Sequence, residues 1–209
     1  MNIAIIDYGM GNLKSVKKAF IALDFKAEIT AEPEAILKAD KVILPGVGAF
    51  RDAIDTLNET GFSEAIREVV KKGTPLLGIC LGMQLLFDKS YEYGAYEGLG
   101  ILPGEIVRFK SEHMIEANGE RLKVPHMGWN NLEIVKTEPL FKGIEDGSSV
   151  YFVHSYYLET TADVVSSYTT YGNRIAVAAQ KDNIFATQFH PEKSGAVGLQ
   201  ILKNFGGMK

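Results

Sequence analysis

The chain has 209 residues, 46% hydrophobic and 23% charged, a composition that suits one globular domain over residues 1–209 and excludes disorder and a coiled coil. Its formal net charge of −4, with no Lys/Arg cluster above ordinary surface charge, argues against a nucleic-acid partner. No apolar run approaches the roughly 20 residues that span a bilayer, Met1 to Gly9 does not read as a signal peptide, and the single cysteine, Cys80, allows no intrachain disulfide, so a cytoplasmic setting is expected.

The first half reads as alternating strands and helices. Asn2 to Asp7 is an Ile-rich strand, followed by the turn Gly9-Met10-Gly11-Asn12 and a helix with Leu13, Val16, Phe20 and Leu23 at helical spacing. Ala27 to Thr30 and Lys41 to Leu44 are further strands, the second closed by Pro45-Gly46-Val47-Gly48. A helix from Phe62 to Lys72 stops at Gly73. Pro75 to Ile79 is a buried strand and Leu81 to Phe87 a helix. This repetition predicts an α/β fold, a flavodoxin-like, open and mostly parallel sheet flanked by helices.

The second half is richer in strands: Gly104 to Phe109, Leu132 to Val135, Val150 to Leu158, Val164 to Thr170, Ala176 to Gln180 and Ile184 to Phe189. They predict an antiparallel extension of the sheet. The chain closes on a helix carrying Val197, Ile201 and Phe205.

Gly78-Ile79-Cys80-Leu81-Gly82 sits where a strand gives way to a helix. Small residues two before and two after a nucleophile, at that junction, define a nucleophile elbow, here with cysteine in place of serine. The following helix start offers amide donors for a thiolate and an oxyanion. A buried hydrophobe is the usual fate of a lone cysteine; the two glycines and the junction favour the nucleophile.

A cysteine nucleophile needs a base, and the base an orienting group. His190 ends a strand, where sites form in open α/β sheets, and Glu192 lies two residues on, able to face the same way in an extended segment. Together they predict a Cys80–His190–Glu192 triad. The loop of Gly46, Val47 and Gly48 can turn backbone amides inward; with the Leu81 N–H it reads as an oxyanion hole, an ordinary glycine turn being the alternative. Gly9-Met10-Gly11-Asn12 fails as a dinucleotide motif because Lys14 stands at the third glycine position. No P-loop and no metal-ligand spacing appear, so neither metal nor organic cofactor is expected. Trp129, in Pro125-His126-Met127-Gly128-Trp129-Asn130, reads as a core residue beside a turn or as a partner anchor, the residues favouring the first slightly. His154 reads equally as a satisfied structural histidine or a substrate contact, and His113 as a surface residue in a charged stretch.

Gly78-Ile79-Cys80-Leu81-Gly82-Met83-Gln84 with Phe189-His190-Pro191-Glu192-Lys193 resembles the class I, triad-type glutamine amidotransferases, and the resemblance runs essentially end to end. Within them, Asp7 to Asn12, Pro45 to Phe50, Pro125 to Asn130 and Tyr151 to Tyr156 are similar to the glutaminase subunits of imidazole glycerol phosphate synthases; Met83 stands where anthranilate-type glutaminases usually have histidine. The resemblance implies that Cys80 forms a thioester with glutamine, that His190 moves the protons and that Glu192 orients it. Gly48, Gln84, His154, Ser155 and Tyr156 match the glutamine pocket, and Asn12, Trp129 and Lys193 match a face turned to a (β/α)8-barrel cyclase that receives the ammonia in a heterodimer. Another synthase as partner, an independent Cys–His hydrolase and a non-catalytic docking module are the competing readings.

Overall fold

The structure is a computed structural model that describes residues 2–110, 112, 114–115, 119 and 121–208. His113 lies outside the described residues. The parallel half is built from β1 (Asn2–Ile6), β2 (Lys26–Thr30), β3 (Lys41–Leu44), β4 (Leu76–Ile79) and, from far along the chain, β14 (Ile184–Thr187). They lie in the order β2-β1-β3-β4-β14, each parallel to its neighbour. β3, β4 and β14 are buried along their whole length, as continuous apolar runs covered on both faces must be.

Alternation along each strand sorts the core into two layers. Ile3, Ile5, Ile43, Leu77 and Phe185 point to α1 (Leu13–Ala22) and α6 (Gly195–Gly207), where Val16, Phe20, Ile201 and Phe205 meet them. Ala4, Ile6, Val42, Leu44 and Leu76 point the other way. That layer is closed by α2 (Pro33–Ile36), α3 (Phe50–Glu59), α4 (Phe62–Lys71) and α5 (Leu81–Leu85), through Ile36, Ile54, Leu57, Ile66 and Val69. The sequence reading left out α2 and α3, although Phe50, Ala53, Ile54 and Leu57 of α3 are spaced as one buried helical face.

Beyond β14 the sheet turns antiparallel through β13 (Asn173–Lys181) and β11 (Tyr156–Glu159) to β7 (Glu105–Arg108), then to the short edge strands β5 (Lys89–Ser90) and β6 (Tyr96–Glu97). β12 (Val165–Tyr171) and β9 (Glu133–Ile134) add to the side of β13. The expected single strand Val150 to Leu158 is two. It breaks at Ser155, and β10 (Ser149–His154) leaves the main sheet to pair with β8 (His126–Asn131) in a separate two-stranded ribbon. One face of this ribbon packs inward through His126, Val150, Phe152 and His154, while Met127 and Trp129 project outward, 61% and 58% exposed. The reading of Trp129 as a core residue is therefore corrected: a two-stranded ribbon has a second face, and among the described residues Met127 and Trp129 stay exposed on it.

Candidate active site

Three strands of the parallel half end side by side, and their carboxyl ends carry the site. β4 stops at Ile79, and Cys80 takes φ 56°, ψ −112° before α5 begins. That conformation is sterically poor for any residue with a Cβ, and costs on the order of 1–3 kcal/mol. The flanking glycines make it possible. A Cβ on Gly82 would run into the Leu44 carbonyl, and one on Gly78 would sit 2.8 Å from the Gly82 carbonyl oxygen. The backbone thus crosses itself closely enough to aim the Cys80 side chain out of the sheet. The sulfur lies 4.0 Å from the Val153 carbonyl oxygen and 3.8 Å from Gln188 Nε2.

β14 delivers the partner. After Thr187, whose carbonyl accepts the Cys80 N–H at 2.8 Å, the chain runs through Gln188 and Phe189 to His190. His190 is pinned by its own backbone: its N–H donates to Tyr151 O at 3.1 Å, and its carbonyl accepts from Ser194 Oγ at 2.7 Å. Glu192, in a short 3-10 turn Pro191–Lys193, places Oε1 2.9 Å from His190 Nδ1. A carboxylate only accepts, so Nδ1 carries the proton, and the buried Nε2 is left for the Cys80 sulfur. Burial pushes the imidazole toward neutrality, but the Cys80 sulfur and the Glu192 carboxylate outweigh it and raise His190 to about 9. The structure therefore brings Cys80, His190 and Glu192 together.

Cys80 and His190 open on a cleft of about 310 Å³ whose lining includes Val47, Gly48, Leu81, Gln84, Ser155 and Tyr156. His154 lines it as well, and is also fully partnered: Nδ1 faces the Tyr156 carbonyl at 2.8 Å and Nε2 faces His126 Nδ1 at 2.9 Å. The two readings of His154 from sequence are thus compatible. Burial lowers His126 to about 4 and His154 to about 3, so both are neutral at neutral pH. Glu92 also lines the cleft, a residue not singled out from the sequence. Its Oε2 accepts the Phe50 N–H at the start of α3 at 2.6 Å. Only its position in the folded loop beyond α5 brings it here, and no local motif marks it.

The oxyanion hole expected from Val47, Gly48 and Leu81 is not assembled in this conformation. The Leu81 N–H donates to the Gly46 carbonyl at 3.3 Å. In a planar trans peptide the N–H and C=O point in opposite directions, so the Val47 N–H points away from Leu81. Tyr8 secures the loop from below, donating to the Pro45 carbonyl at 2.9 Å.

Asn12 precedes α1, Lys193 is exposed on the 3-10 turn, and Trp129 is exposed on β8. The turn packs against both α1 and β10, so the three share one side of the molecule, with Val47, 42% exposed, at the mouth of the cleft. Among the described residues no group of His, Cys, Asp and Glu could hold a metal ion, and no helix is long and apolar enough to cross a membrane.

An open α/β sheet with a cysteine elbow and a His–Glu pair at its carboxyl edge defines a glutaminase-type site. The model of the family "Glutamine amidotransferase class-I" matches residues 4–207, and the chain belongs to that family. It is 57% identical over 208 residues to the "Imidazole glycerol phosphate synthase subunit HisH" of Geobacter sulfurreducens, covering 99% of each chain. It is 52% identical over 205 residues to the protein of the same name from Carboxydothermus hydrogenoformans, covering 98% of each. Solved structures share the fold at low identity. PurLQS from Thermotoga maritima superposes with a TM-score of 0.74 at 18% identity, over 98% of this chain and 96% of that one. The glutaminase domain of Trypanosoma brucei CTPS gives 0.66 at 17%, over 100% and 95%.

Proposed function

We propose that this chain, a single-domain glutamine amidotransferase, is the cytoplasmic glutaminase subunit of an imidazole glycerol phosphate synthase, working in a heterodimer with a (β/α)8-barrel cyclase. The observation that carries the chemistry is the strained Cys80 elbow opening on the same cleft as the buried His190–Glu192 pair; the two full-length relatives supply the synthase.

Glutamine enters the cleft with its carboxamide at Cys80. The sulfur attacks the carboxamide carbon, and the C=O becomes an oxyanion. His190, charged by the thiol proton it has taken from Cys80 and held so by Glu192, gives a proton to the departing nitrogen. Ammonia leaves, and Cys80 carries a γ-glutamyl thioester. His190, now neutral, takes a proton from water, whose oxygen attacks the thioester; glutamate and the free thiol follow.

The rest of the cleft orients the substrate. Glu92 is the acidic residue in the lining of the cleft, and it faces the α-ammonium. Gly48, Ser155 and Tyr156 form the wall around the α-carboxylate end, and Gln84 holds the side-chain amide. The oxyanion needs two donors. Leu81 offers one once the Gly46 carbonyl lets go, and rotation of the Gly46–Val47 peptide turns the Val47 N–H inward as the second; glycines on both sides of Val47 make that rotation easy. A partner docking on Val47, Trp129, Lys193 and Asn12 is placed to favour the rotated state. Exposed Val47 at the mouth of the cleft and exposed Trp129 on the same side of the molecule are apolar surface that an obligate partner covers.

The test is glutamate release from glutamine by the chain alone and with its co-expressed barrel cyclase and the cyclase ligand. A sharp rise with the partner is expected, abolished by Cys80→Ser. Equal activity in both conditions rejects the synthase reading, and activity retained by Cys80→Ser rejects the nucleophile.

A further inference from the structure

Gln188 is completely buried two residues before His190, and its carboxamide lies between two groups that the reaction uses. Its Nε2 is 3.8 Å from Cys80 Sγ and its Oε1 is 2.9 Å from Gln84 Nε2. The orientation of both amides follows from a third contact. Gln84 Nε2 also reaches the Tyr156 backbone carbonyl at 3.4 Å, and a carbonyl can only accept. Gln84 must therefore turn its NH2 inward, so the Gln188 atom facing it is the oxygen, and the Gln188 NH2 is left for the sulfur.

We infer that Gln188 is a positioning residue that sets both the Cys80 sulfur and the Gln84 carboxamide through one side chain. This rests on the glutaminase reading above and adds a residue to it. A neutral N–H donor aimed at sulfur favours the thiolate without introducing a counter-charge that would compete with His190. The same amide engages one Gln84 N–H while Tyr156 engages the other. Gln84 can then offer the cleft only its carbonyl oxygen, an acceptor for the N–H groups of glutamine. With a free Gln84 amide, donor and acceptor could exchange places and the selection would be lost. A backbone bond from the Gln188 N–H to the Val177 carbonyl, 2.8 Å, anchors the residue to β13, so the clamp is built on the sheet rather than on a loop.

Cys80 is the only cysteine, so alkylation reports on it alone. The experiment measures iodoacetamide alkylation of the folded chain against pH, with glutamine kinetics in the presence of the partner, for Gln188→Glu and Gln188→Met. In Gln188→Glu the negative charge facing the sulfur should move the alkylation midpoint up by about one pH unit or more. Gln188→Met should move it up by less, and should raise KM for glutamine several-fold because Gln84 is released. A purely structural role predicts a lower melting temperature with the wild-type alkylation profile and KM, and that result overturns the inference. A shift in Gln188→Glu with Gln188→Met indistinguishable from wild type also overturns it, because it shows charge repulsion without a lost donor. If Gln188→Met does not fold, Gln188→Ala, which likewise removes the donor without adding a charge, carries the test through its alkylation midpoint and its KM for glutamine. Cys80→Ser is run alongside. If it keeps glutaminase activity the glutaminase reading itself fails, whereas an inactive Cys80→Ser with unaltered Gln188 variants sinks only the clamp.

Discussion

The Gly46 carbonyl occupies the Leu81 N–H at 3.3 Å, so the donor best placed for an oxyanion is already engaged within the chain. Releasing it requires the Gly46–Val47 peptide to turn, and Tyr8 resists that movement. Its hydroxyl donates to the Pro45 carbonyl, and it packs so tightly that a Cβ on Gly46 would lie 2.5 Å from it. Tyr8→Phe removes the donor and leaves a buried carbonyl unpaired, at a cost of about 1–3 kcal/mol. The variant is expected to melt at lower temperature, and to hydrolyse glutamine several-fold faster than wild type without partner, with a smaller gain when the partner is added. Glutamate release beside a thermal melt measures both. Unchanged partner-free activity would show that Tyr8 does not hold the loop.

Gly82→Ala tests the elbow. The added methyl meets the Leu44 carbonyl and cannot rotate away, because Leu44 belongs to a strand buried on both faces. Strain of this kind has no cheap relaxation, and a loss of at least about 3 kcal/mol is expected. A urea denaturation midpoint close to wild type would mean that β3 and α5 are free to separate, contrary to the packing described here.

The triad was legible because each half of it is local. Gly78 and Gly82 frame Cys80 within five residues, and His190 and Glu192 are two apart at a strand end. Gln188 and Glu92 were not legible, since what they touch comes from other elements: Gln84 on α5 for one, the start of α3 for the other. Trp129 misled for a related reason. Period-two burial in β8 was visible only once β10 was known to leave the main sheet at Ser155, and the unbroken apolar run Val150 to Val153 gave no sign of that break. α3 is marked in the sequence as locally as the triad, since Phe50, Ala53, Ile54 and Leu57 recur at helical spacing.

Glu192→Gln keeps the shape of the side chain and removes its charge. Without the carboxylate, burial is opposed only by the sulfur, so His190 should fall from its raised value toward or below the ordinary histidine range. The variant amide can also present its NH2 to Nδ1 and favour the wrong tautomer. A loss in kcat of roughly two to four orders of magnitude is expected, on the pattern of triads whose orienting carboxylate is made neutral, with KM little changed because Glu192 does not line the cleft. A large KM effect with kcat preserved would move Glu192 from orienting His190 to binding substrate.

The buried histidines give stability a dependence on pH with two opposite limbs. His126 and His154 are lowered to about 4 and about 3 in the folded protein, against about 6.5 for an unfolded chain. Between pH 6.5 and pH 5 the unfolded chain takes up protons that the folded one refuses, so stability falls as pH falls, by up to about 2 kcal/mol per histidine. Protonation of His154 would also set N–H against N–H across the 2.9 Å between His126 Nδ1 and His154 Nε2, since His154 Nδ1 is already committed to the Tyr156 carbonyl, and protonation of His126 would put an N–H on Nε2 against the Asn130 Nδ2 3.3 Å away. His190 acts in the other direction. Its folded value of about 9 lies above the unfolded one, so its contribution is full below pH 6.5 and is lost as pH rises through 9. Below 6.5 it is charged in both states and adds no slope. Urea midpoints should therefore pass through a maximum near neutrality. His126→Gln should take away about half of the acid limb, His154 keeping its share, and leave the alkaline limb in place, whereas Cys80→Ala, which removes the sulfur beside His190, should weaken the alkaline limb and leave the acid one. An acid limb unaffected by His126→Gln would assign it to the carboxylates instead.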